Sequence, residues 1–162
     1  MNYSKNYFFY MSVYVSIFSF FDFYTNKFYF RIWKKKTFNE KIKLIFYLIV
    51  HNLIFYIIFF TFLFILYYYK QLTWKESFAY LLVTIAIPLH WLTNNNKCMV
   101  TVEQNKLLEI SEDYGFRDFY AILTDIYPRG SDKSKERDKL YYGYLITAMI
   151  STLIITILKL RK

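Results

Sequence analysis

Two histidines, one cysteine and 12 carboxylates are the side chains through which this chain of 162 residues could do acid–base, redox or metal chemistry. His51 and His90 both fall inside long apolar runs. If those runs cross a membrane as neighbouring helices, the two imidazoles stand toward the same end. A bis-histidine haem b site between helices is the one cofactor this pattern could serve. The simpler reading keeps each imidazole neutral and hydrogen-bonded, His51 beside Asn52 and His90 beside Trp91 at the interface. Cys98 stands alone, which removes intrachain disulfides, cysteine-ligated iron–sulfur clusters and CxxC exchange. No dinucleotide, P-loop or nucleophile-elbow motif occurs. Neither a catalytic residue nor a metal site is expected of this chain.

The elements that must position the histidines are membrane helices. Residues 44–69, LIFYLIVHNLIFYIIFFTFLFILYYY, carry no formal charge between Lys43 and Lys70. As a helix this stretch is roughly 39 Å long against a hydrocarbon core of about 30 Å. Residues 77–93, SFAYLLVTIAIPLHWLT, follow after the short KQLTWKE connection, so the two spans form an antiparallel hairpin, with a kink expected near Pro88. The third span covers residues 141–158, YYGYLITAMISTLIITIL, where Gly143, Thr147, Ala148, Ser151 and Thr152 make a small-residue strip suited to close helix packing. None of the three contains Asp, Glu, Lys or Arg, which argues against a proton relay or a carrier.

Upstream, residues 7–21 are uncharged as far as Asp22, with Ser12, Ser16 and Ser19 on one helical seam. This stretch reads either as an interfacial amphipathic helix or as a short fourth span, and not as a cleavable presequence. Lys27, Arg31, Lys34, Lys35, Lys36, Lys41 and Lys43 then face Glu40 alone, which assigns this end to the cytoplasmic or matrix side. The RIWKKK run sets Trp33 at headgroup depth beside Arg31, Lys34, Lys35 and Lys36, a site for cardiolipin or another anionic lipid. Because the basic residues flank apolar runs, the formal +9 charge reads as topology, and nucleic acid is not an expected partner.

The segment between the hairpin and the last span reads as a small subdomain on the same inner side. In it, CMVTVEQNKLLEIS alternates around EQNK as a β-hairpin would. Residues 111–127 set Phe116, Phe119, Tyr120, Leu123 and Ile126 or Tyr127 on one helical face, to dock on the membrane or a partner. The charged stretch PRGSDKSKERDK, residues 128–139, is either a solvated linker or a grip on a protein surface. The expected organisation is therefore an all-α membrane protein. It has an N-terminal helix and basic cluster over 1–43, a transmembrane hairpin over 44–93, a matrix-side subdomain over 94–139 and a C-terminal span over 140–162.

Phe, Tyr, Ile, Lys and Asn, all with A+T-rich codons, make up about half of the chain. In this composition the chain resembles the hydrophobic ymf proteins encoded by ciliate mitochondrial genomes. The resemblance implies a multi-pass, non-catalytic structural subunit of a respiratory-chain complex or supercomplex in the mitochondrial inner membrane. Such a subunit is part of an oxidoreductase assembly, with other membrane subunits and phospholipid as partners. The span count and His90 in PLHWL are also similar to a succinate dehydrogenase membrane anchor, which implies haem b or quinone binding, although the Arg-His-Leu run and the His-x-x-x-Gly pattern of those anchors are absent. An ATP synthase membrane subunit is the remaining alternative.

Overall fold

The computed structural model describes residues 3–25, 27–95, 97–111 and 132–161. Among these residues the chain forms six helices and no strand: α1 (Tyr3–Thr25), α2 (Lys27–Trp33), α3 (Phe38–Tyr68), α4 (Trp74–Thr93), α5 (Met99–Leu107) and α6 (Asp132–Leu160). Three helices are long and apolar enough to cross a membrane, namely α3, α4 and the Lys139–Leu160 part of α6. The chain is thus an all-α, multi-pass membrane protein.

Both helices of the hairpin start at a reciprocal cap. Thr37 Oγ1 accepts from the Glu40 backbone N–H at 3.4 Å, and Glu40 Oε2 accepts from the Thr37 N–H at 2.9 Å. Thr73 and Glu76 repeat the arrangement at 3.4 and 2.8 Å. Each box satisfies two donors that a helix start would otherwise leave open. Pro88 is accommodated inside α4, which continues to Thr93.

The helices associate in two pairs. α3 takes α1 along its length, whereas α4 packs chiefly on α6 and only lightly on α3. The hairpin partners in sequence are therefore not each other's main partners in space. Two tyrosines tie the pairs together through successive carbonyls of α3: Tyr80 Oη donates to Ile58 O at 2.7 Å, and Tyr144 Oη donates to Phe59 O at 2.5 Å. A helical carbonyl keeps a second lone pair for such a bond. On the α4–α6 face, Ser77, Thr84, Ala148 and Thr152 are all 0% exposed. The expected strip is present in part: Ala148 and Thr152 are in the contact, while Gly143 and Thr147 are exposed. The buried register is that of Leu145, Ala148, Thr152 and Thr156.

Two expectations are corrected. Residues 98–111 are not a β-hairpin, because Met99–Leu107 is helical. Thr101, Gln104 and Asn105 are its buried residues, and the buried C-cap Leu108 continues their face at the i, i+3, i+4, i+7 spacing of a helix. That face is mostly polar, so the alternation of Val100 and Val102 dominated the hydrophobic pattern. Nor is the charged stretch wholly a linker: from Asp132 onward it is the first part of α6, the breakers Pro128 and Gly130 lying before the helix. The amphipathic helix expected beyond Ser111, with Phe116, Phe119, Tyr120, Leu123 and Ile126 or Tyr127, lies outside the described residues.

Candidate functional site

α1 is 23 residues long, about 34 Å by helical rise, and continues through Asp22. It runs antiparallel to α3. Near its start, the Tyr7 and Thr61 hydroxyls share a hydrogen bond of 2.6 Å, and the Tyr7 ring meets Phe64 and Tyr56 at 5.1 and 5.6 Å. Midway, Tyr14 meets Phe60 at 4.8 Å. Near its end, Asn52 Nδ2 donates to Asp22 Oδ2 at 2.8 Å and to the Leu48 carbonyl at 3.1 Å. Asp22 is 1% exposed and Asn52 3%. Measured from Lys43, Asn52 is about 13 Å along α3, so an acidic side chain sits well inside the apolar stretch. Sequence reasoning took Asp22 as the end of an uncharged run and missed this pairing. The signal available was Asn52, an amide that an apolar helix retains only with a partner.

The histidines take separate environments. His51 is buried, its ring 5.8 Å from that of Phe55 in a near-parallel stack. His90 is exposed near the end of α4, and its Nε2 accepts the Met99 backbone N–H at 3.2 Å. That bond fastens the start of α5 to the end of α4. Cys98 precedes α5 as a half-buried thiol. Among the described residues, no group of three His, Cys, Asp or Glu side chains is placed to hold a metal ion.

The basic end is organised around α2 and α5. Tyr29, Ile32, Leu44, Leu48 and Leu108 form a small apolar core, in which the Tyr29 hydroxyl accepts from the Gln104 amide. Burial pushes the Tyr29 phenol well above its usual range, Gln104 opposing that shift and the charge of Asp22 adding to it. Beyond α5 the chain closes through Glu109 N–H to Lys106 O at 3.2 Å and Ile110 N–H to Asn105 O at 3.1 Å, with Glu109 left-handed at φ 54°. This is the Schellman pattern with glutamate where glycine is usual. It sets Glu109 Oε1 2.8 Å from Lys36 Nζ, while Glu40 stands 3.7 Å away. The Glu109 hydrogen bond raises the Lys36 amine, and the same bond, with the charge of Lys36, lowers the Glu109 carboxyl.

Of the expected lipid-binding cluster, Lys36 is therefore committed to carboxylates. Arg31, Lys34 and Lys35 are exposed. Trp33 is half-buried against Phe23 at 5.0 Å, with the Lys41 ammonium 5.6 Å from its ring. It lines a groove of about 680 Å³ between α1 and α3, whose walls include Val15, Ser16, Ser19 and Leu53. Ser19 is 8% exposed, and its hydroxyl has no hydrogen-bond partner. Comparison with protein-family models, curated proteins and solved structures finds no match.

Proposed function

We propose that this chain is a non-catalytic structural subunit of a respiratory-chain assembly in the mitochondrial inner membrane. The observation that carries the reading is how little of its apolar surface the chain buries for itself. Within the most apolar windows of α3, α4 and α6, only 39, 22 and 22% of residues are buried. α1 adds Phe8, Phe9, Phe20 and Phe21 to the exposed set. Rigid, aromatic outer faces of this kind offer large contact areas to neighbouring membrane helices at a low cost in side-chain entropy. The A+T-rich composition and the resemblance to ciliate mitochondrial ymf proteins support the organellar setting. In this reading α1 is a fourth membrane element, because it lies beside the apolar part of α3 from Asn52 to Phe64. The paired Asp22 supports it: a buried carboxylate needs a protein partner at that depth.

Solubilising the source membranes in mild detergent, separating intact assemblies on a native gel and following this chain by mass spectrometry tests the proposal. Co-migration with subunits of a respiratory complex is the expected result. Migration alone at low mass overturns it, and co-migration with ATP synthase subunits moves the scaffold to that assembly.

A further inference from the structure

The groove between α1 and α3 has a shape and a charge that together specify an occupant. Its α1 wall extends from Met11 to Phe23, about 18 Å by helical rise, which is slightly more than half of a 30 Å hydrocarbon core. One acyl chain of a single leaflet reaches about that deep. The walls are apolar except for the serine seam, so nothing there repels a hydrocarbon chain. At the inner end the lining finishes at Trp33 and Ile45. Lys41, one helical turn before Ile45, holds its ammonium over the Trp33 ring at 5.6 Å. Lys34 and Lys35 follow Trp33 directly and are exposed. Glu40 and Glu109 share Lys36, which leaves one of those two negative charges against Arg31, Lys34, Lys35 and Lys41, so the mouth of the groove stays positive.

The geometry points to a bound anionic phospholipid, one acyl chain lying in the α1–α3 groove and the phosphate at Lys41, Lys34 and Lys35. The tryptophan takes the interfacial position between chain and headgroup. The charge complementarity selects a lipid over a neighbouring apolar helix, which would leave those cations without a partner. This inference concerns the isolated chain and does not depend on the assembly to which it belongs.

The test uses the full chain in phosphatidylcholine nanodiscs doped with phosphatidylglycerol that carries a diazirine on its acyl chain. After illumination, the label is mapped by mass spectrometry. It is expected to concentrate on the peptides holding Val15, Ser16 and Leu53. Phosphatidylcholine carrying the same diazirine, whose choline cancels the phosphate charge, should label them about fivefold less for each lysine beside the headgroup. Ser16→Trp fills the groove and should abolish the label there, while labelling of the exposed faces of α4 and α6 persists. Lys34→Gln with Lys35→Gln leaves the groove open and should remove most of the headgroup preference. Label spread evenly over α1, α4 and α6, or equal labelling of the groove by both headgroups, overturns the proposal.

Discussion

The α1–α3 pair is held by polar contacts at its two ends, Tyr7 with Thr61 and Asp22 with Asn52, and by tilted ring contacts between them. The α4–α6 pair has instead a face of Ser77, Thr84, Ala148 and Thr152, fully buried at 0% exposure. Three hydroxyls along it turn back on their own chain segment, Ser77 Oγ donating to Thr73 O at 3.3 Å, Thr84 Oγ1 to Leu81 O at 2.9 Å and Thr156 Oγ1 to Thr152 O at 2.8 Å, while the buried Thr152 hydroxyl makes no hydrogen bond. Small side chains of this kind let two helix backbones approach closely. Between α1 and α3, rings fill much of the space, and a groove remains where serines replace rings along α1. A single chain thus holds a buried small-residue contact and a ring-lined contact that leaves a groove.

Removing the polar fastening of the open pair should have the largest effect. Asn52→Leu keeps the size of the side chain but leaves the buried Asp22 carboxyl without the Asn52 amide. It is expected to cost about 3 kcal/mol, the upper range for a hydrogen bond to a buried charged group. Unfolding in mixed micelles by titration with a denaturing detergent measures it. Adding Asp22→Leu should recover most of the loss, since two apolar groups of similar shape replace a buried polar pair. A double variant as unstable as the single would show that Asp22 is held by groups other than Asn52.

Overfilling distinguishes the pairs by sign. Ala148→Leu forces a branched side chain into a contact with no space and should destabilise by about 2 kcal/mol. Ser16→Leu places the same side chain in the groove of the α1–α3 pair and should be neutral or stabilising, because it buries apolar surface without strain. The same detergent titration reads both. Equal losses at the two sites would mean that the groove closes in the membrane and that the two pairs pack alike.

The tyrosine ties between the pairs come next. Tyr144→Phe deletes the bond to Phe59 O and keeps the ring that packs against Phe59 at 4.7 Å. About 0.6 kcal/mol is the expected loss, the average for interhelical hydrogen bonds in membranes. Tyr80→Phe removes the neighbouring bond to Ile58 O and should cost a similar amount in the same titration.

How legible these arrangements were in the sequence depends on which residues carry them. The three spans were readable because an unbroken apolar run is a one-dimensional signal, and Lys43, Lys70 and Lys159 bound those runs. The starts of α3 and α4 were equally available in TFNE and TWKE, two Thr-x-x-Glu boxes. The pairing of the helices was not readable, since α4 shows apolar residues all round and only burial distinguishes Ser77, Tyr80, Leu81 and Thr84, of which Tyr80 reaches α3. α5 misled for a related reason: its buried Gln104 and Asn105 count as polar in any hydrophobic pattern, although they sit where a core residue would. Of the site residues, Trp33 and its cations were legible from composition. Ser16 and Ser19 became groove walls only once α1 lay against α3.

The smallest expected effect lies at the basic end, where an exposed ion pair adds to the Tyr29–Gln104 bond and the core around Leu108 in holding α5. Lys36 is held above its usual range chiefly by the hydrogen bond to Glu109, so its contribution is complete below the unfolded amine pKa and is lost as pH rises through the folded value. Glu109 is held below its usual range by the same bond, so its contribution is present above the unfolded carboxyl pKa and is lost as pH falls through the folded one. Docking of α5 should therefore be flat across neutral pH and weaken on both the acidic and the strongly basic flank. Trp33 emission, in a chain with Trp74→Phe and Trp91→Phe, reports it from within the same cluster. Glu109→Gly removes the carboxylate and also relieves the left-handed backbone at φ 54°, two changes of opposite sign. The glycine variant should keep α5 docked and lose the acid flank, because the Schellman closure survives without the ion pair. An unchanged acid flank would assign it to another carboxylate, with Glu40, 3.7 Å from Lys36, the nearest remaining partner of that lysine.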